Sequence, residues 1–182
     1  LDTLDAVAAA PVAARVVALT GDLAAAACGT EIRHRLKSFR VIPQRGNDFG
    51  DRLANAHVDA GLRSGGHPVL QIGMDTPQVT DELLAGCARR LLQAQAVLGL
   101  ARDGGWWVLG LQASATADCL RRVPMSQPDT GELTLKALHE NGLDVTSVER
   151  LTDFDVIDDV AEVRDACDPA SRFALVTHAA GL

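Results

Sequence analysis

Hydrophobic and polar positions along the chain alternate between two periods. Short apolar runs, "ARVVALTGD", "FRVIPQ", "HPVLQIG", "AVLGLA", "WWVLGLQ" and "DVTSVERL", predict β-strands. Between them lie stretches with apolar residues three and four apart. "LDTLDAVAAA" puts Leu1, Leu4, Val7 and Ala8 on one helical face. "NDFGDRLANAHVDAG" carries a Phe49, Leu53, Ala56 stripe, with Asn47 or Asp48 as the cap and Gly61 as the end. "DELLAGCARRLLQAQ" is a helix capped by Thr80, with Leu84, Cys87 and Leu91 on one side. "LAAAAC" reads as a brief helix stopped by Gly29. "ATADCLRRV", "TGELTLKALHENG" and "DDVAEVRDAC" complete the helices, and the tail after Pro169 carries no clear signal.

Strands and helices that alternate across short connections predict βαβ units. The expected architecture is a three-layer α/β/α, Rossmann-like fold with a mostly parallel sheet, in one domain over residues 1–182. Composition narrows this further. Hydrophobic residues make up 47% and aromatics only 3%, so the core must be aliphatic. A net charge of −7 argues against a nucleic-acid backbone or an anionic membrane as partner. No apolar run is long enough for a membrane span. The four cysteines form no CxxC pair, which fits free thiols and a cytoplasmic location. A homo-oligomer is left open.

Neither glycine loop that commonly cradles phosphate is present, GxGxxG or GxxxxGK[ST], and there is no GxSxG or HExxH. Acids follow the strands instead: Asp22, Asp75, Asp103, Asp153 and Asp155. In an open α/β sheet the carboxyl ends of the strands form the ligand edge. Each acid alone suits a turn. Together they would repel unless a cation neutralised them, and a hard ion such as Mg2+ or Mn2+ suits carboxylate oxygens.

Three segments, in order, carry a resemblance: "QRGNDFGDRLANA", "IGMDTPQVTDELLAGC" and "ARDGGWWVLGL". They resemble a bacterial glycosyltransferase-like family. That family is similar to molybdenum-cofactor and phospholactate guanylyltransferases, all of the nucleotide-diphospho-sugar transferase (GT-A) fold. The late "DFDVIDD" also resembles a family motif, with Val156 where a Thr is usual. The resemblance implies an enzyme that transfers a sugar from a nucleotide-sugar donor to an unknown acceptor with a divalent cation. Alternatives are nucleotidyl transfer to a small phosphorylated or hydroxylated substrate, and a non-catalytic ligand-binding protein. Family members usually begin with a strand and a basic glycine-containing loop, absent from these residues, so the domain is expected to be N-terminally incomplete.

By this resemblance, Asp75 is a metal ligand and catalytic residue, and Asp155 a second metal ligand. Asp103 would meet an acceptor hydroxyl or act as base. Gly104 and Gly105 would let backbone approach a ligand, or simply build a hairpin. Trp106 could stack on a sugar or base, though one of Trp106 and Trp107 belongs to the core because neighbours on a strand face opposite ways. Gln44, Gly46, Asp48 and Arg52 would bind substrate at a helix start, against the plain alternative of a solvated polar face. "MSQPDTGELT" falls where the family has an acceptor-side loop before a helix, which Thr130 could equally just cap.

Overall fold

The computed structural model describes residues 1–182. Six strands form: β1 (Val16–Leu19), β2 (Arg40–Pro43), β3 (Val69–Ile72), β4 (Ala96–Leu100), β5 (Trp106–Leu111) and β6 (Val145–Ser147). Strands β1 and β2 pair in parallel as a two-stranded sheet. The other four are ordered β3-β5-β4-β6. Within this sheet β3, β4 and β6 share one direction and β5 opposes them. The fold class is the one expected, and β5 reverses because the tight "RDGG" loop can only return the chain antiparallel beside β4.

Seven α-helices surround the strands: α1 (Asp2–Ala9), α2 (Gly29–Arg35), α3 (Phe49–Arg63), α4 (Asp81–Leu91), α5 (Thr130–Glu140), α6 (Val160–Ala166) and α7 (Arg172–Ala179). Asp48 and Thr80 cap α3 and α4, accepting from the backbone N–H of Asp51 and Leu83. Apolar residues of the larger sheet serve two cores. Leu98, Leu109 and Leu111 join Ala54 of α3, Leu138 of α5 and the 3₁₀ segment Ser114–Arg122. Val108 and Trp107 join Leu84 and Cys87 of α4 and Ala10. The register slips between Gly99 and Leu100, leaving Trp107 as an extra residue between the pairs Leu100–Trp106 and Gly99–Val108. That bulge lets Trp107 and Val108 serve the same core. The Trp107 indole N–H donates to Glu149 O at 2.7 Å.

Three local expectations change. "LAAAAC" forms turns and Gly29 begins α2, because the chain folds back so tightly that a Cβ on Gly29 would lie 1.7 Å from Leu23 O. Gly61 lies inside α3, where its bare backbone admits Ser114; a Cβ there would meet Ser114 Oγ at 2.2 Å. The tail forms α7. Ser171 caps it, and the Asp2 carboxylate accepts from the N–H groups of Arg172 and Phe173. No helix is long and apolar enough to cross a membrane.

Candidate metal and ligand site

Because β3, β4 and β6 run the same way, the chain leaves all three at one edge of the sheet. After β6 the chain continues along β4. Val148 N donates to Leu98 O, Leu151 N to Leu100 O, and Arg102 N to Leu151 O. That ribbon delivers residues 152–155 beside the β4–β5 loop. The loop after β3 is stitched to the same ribbon at two points. Phe154 N donates to Asp75 O at 2.9 Å, and Gln78 Nε2 donates to Thr152 O. Three separate segments therefore bring four aspartates together.

The side chains are aimed by backbone. Asp103 Oδ1 accepts from Gly105 N at 2.7 Å. The Asp75 carboxylate lies back over Gly73, where a Cβ would stand 2.6 Å from Asp75 Oδ1. Asp153 is 8% exposed, while Asp103 and Asp155 are exposed. One donor oxygen from each of Asp103, Asp153 and Asp155 lies within 4.8 Å of the others. Oxygens on one hard cation stand at most about 4–5 Å apart, so the triad could hold one ion after small rotations of the two exposed side chains. An all-carboxylate donor set fits Mg2+ or Mn2+ chemistry.

The electrostatics agree with that fit. Burial, then repulsion from Asp103 and Asp155, pushes the Asp153 carboxyl up to about 6. Asp75 is also raised, first by loss of water around it, then by Asp155 and Asp103. No ion pair in the structure includes any of the four. Arg102, next to Asp103, is turned to Glu162 at 2.9 Å.

Among the acids and substrate residues expected from sequence, Asp75, Asp103 and Asp155 come together. Asp153, counted among the strand-end acids but given no individual role from sequence, joins them. The signal was there: in an extended segment residues two apart share a face, so Asp153 and Asp155 point the same way. Asp22 accepts from Ala24 N at 2.8 Å and serves its own turn. Gly104 does make a close backbone approach at φ +98°, and the partner is the protein itself: a Cβ there would lie 1.7 Å from Pro128 O. Trp106 is half-buried and packs on the core that holds Leu109. Gln44 and Gly46 follow β2, Asp48 caps α3, and Arg52 is exposed without an ion pair. No hydrogen bond joins these four to the acid cluster.

Comparison with known proteins places the fold. Residues 3–127, more than half of the chain, match the family described as "Uncharacterized protein conserved in bacteria (DUF2064)". The chain belongs to that family. A search of curated protein sequences finds no match. Among solved structures, it is similar to a candidate nucleotide-diphospho-sugar transferase from Desulfovibrio desulfuricans G20, at 20% identity and a TM-score of 0.83. That match covers 99% of this chain and 79% of the other. A cytidylyltransferase from Leptospira borgpetersenii serovar Hardjo-bovis matches at 14% identity and a TM-score of 0.54, covering 81% and 63%. CMP:2-keto-3-deoxy-manno-octonic acid synthetase, solved with CTP, matches at 10% identity and a TM-score of 0.59, covering 98% and 87%. These likenesses establish the nucleotide-diphospho-sugar transferase fold.

Proposed function

We propose that this chain is a transferase that moves a sugar from a nucleotide-sugar donor to an acceptor hydroxyl. The observation that carries the reading is the group of uncompensated carboxylates at the sheet edge. Asp103, Asp153 and Asp155 would hold a Mg2+ or Mn2+ ion, with Asp75 beside them. Such an ion supplies charge neutralisation for the departing nucleoside diphosphate. Asp75, raised by its surroundings, is suited to accept the proton of the attacking hydroxyl, which leaves on Asp75 as the new glycosidic bond forms. We assign Gln44, Gly46 and the free cation of Arg52 to the nucleotide, and the Gly105–Trp106 edge to the sugar or acceptor.

Nucleotidyl transfer is the second reading. It is favoured by the fold shared with a cytidylyltransferase and with a synthetase solved with CTP. The two differ in product: nucleoside diphosphate from the first, pyrophosphate from the second. A thermal-shift screen against nucleotide sugars and nucleoside triphosphates, with and without Mn2+, should raise the unfolding midpoint for one class. Product analysis with the selected class then decides between them. A protein that binds no nucleotide with Mn2+ present would sink both and leave a non-catalytic binding role.

A further inference from the structure

Asp103 stands at the tip of a five-residue loop, where a side chain would ordinarily wander. Here the loop is gripped from behind by the start of α5. Gly131 N donates to Gly104 O at 2.7 Å. A Cβ on Gly131 would lie 2.5 Å from Gly105 O and 3.0 Å from Gly104 O. Gly104 itself has room only for a hydrogen, since Pro128 O of the same segment fills the place of its Cβ. These contacts are backbone on backbone, which cannot swing aside as a long side chain does.

The gripping segment is itself braced. Thr130 is 5% exposed; its hydroxyl donates to Pro124 O at 2.9 Å and accepts from Gln127 N at 3.0 Å. The Thr134 hydroxyl donates to Thr130 O at 2.8 Å. Ser126 holds φ +57°, a left-handed value that a non-glycine residue adopts at some cost. The chain from Pro124 to Gly131 thus forms a stiff bracket, and its outward face is the loop that ends in the Asp103 carboxylate.

We infer that Gly131 and Thr130 are positioning residues that set the distance of Asp103 from Asp153 and Asp155. The inference rests on the metal reading above. A ligand oxygen displaced by about 1 Å leaves the coordination sphere, so a support that touches no substrate can still control affinity. This gives the "PDTG" turn a role beyond capping a helix: it is the mount of one metal ligand.

The test measures Mn2+ affinity of the full chain by electron paramagnetic resonance, with the unfolding midpoint recorded in parallel. Gly131→Ala should weaken Mn2+ binding by about tenfold or more, in the range typical of lost support behind a ligand. Thr130→Val should weaken it in the same direction, and Thr130→Ser, which keeps the hydroxyl, should restore wild-type affinity. If Gly131→Ala does not fold, the Thr130 pair carries the test. Wild-type affinity in Gly131→Ala, or Thr130→Ser as weak as Thr130→Val, overturns the inference alone. A wild-type chain that binds no Mn2+ overturns the metal reading and this role with it.

Discussion

Around the start of α3, acids sit against arginines. Arg121 reaches Asp51 at 2.8 Å and Asp118 at 2.6 Å, and also donates to Asn55 Oδ1. Arg45 pairs with Asp59 at 2.8 Å. The Asp51 carboxyl is held below its ordinary range, chiefly by the Arg121 hydrogen bond. At the carboxyl ends of β3, β4 and β6, four aspartates face one another instead, and two of them are pushed up. The same side chain, used at similar density, does opposite things. Where each acid has its own cation, the charges hold elements together. Where acids share space without one, they repel each other, and burial adds to that in holding protons on them.

The sharpest way to break this contrast is to remove one unpaired acid. Asp153→Ala should cut metal-dependent turnover by roughly a hundredfold or more and abolish Mn2+ binding, while the chain stays folded. Turnover and Mn2+ titration of the purified variant check this; activity near wild type would place the reaction elsewhere.

The next largest effect is in pH. Asp153 has a folded pKa of about 6, above the roughly 3.9 of an unfolded aspartate. The folded state therefore holds that proton more tightly, and stability falls as pH rises from about 4 to about 6. His57 acts the other way. It is 1% exposed, its Nδ1 lies 3.0 Å from Gln71 Oε1, and burial lowers it to about 4. The unfolded chain takes up that proton first, so the His57 contribution rises with pH through the same window. The metal-free wild type should thus show a shallow slope, with Asp153 and Asp75, both raised, set against His57. Asp153→Asn should uncover the His57 rise, on the order of 2 kcal/mol between pH 4 and 6.5. Urea unfolding with chelator across that range measures it, and an unchanged slope would refute the opposition.

The smallest effect lies on the paired side. Asp48→Ala removes a helix cap and should cost about 1 kcal/mol in urea unfolding, with Mn2+ affinity unchanged. Lost Mn2+ binding in that variant would tie the start of α3 to the acid cluster and break the contrast.

Much of this was legible before any coordinates. Acids placed after "VLQIGM" and "VLGLAR" predicted that Asp75 and Asp103 fall on one sheet edge, and Asp-Gly predicted the β4–β5 return. What stayed hidden depended on partners far along the chain. The polar face of α3 reads as ligand-binding or solvated from sequence. Its Asp51 is engaged by Arg121, 70 positions away. Helix α7 carries no strong apolar stripe, and part of its cap comes from Asp2, 171 positions before Phe173. Gly104 looks free to meet a ligand until Pro128 and Gly131 are seen behind it. Local pattern specifies elements and turns. It says little about which charges will find each other.

The bulge in β5 has a practical consequence. The chain has two tryptophans and no tyrosine. Trp107, 1% exposed, is sealed in one core, and half-buried Trp106 borders Gly105 and the Asp103 loop. Intrinsic fluorescence therefore comes from two neighbouring indoles in unlike surroundings. The buried one emits to the blue and reports whether the sheet is intact. The other adjoins the loop that carries Asp103, so a paramagnetic ion held by the proposed ligands would quench it. One emission spectrum thus separates loss of the fold from occupation of the site, with no label attached.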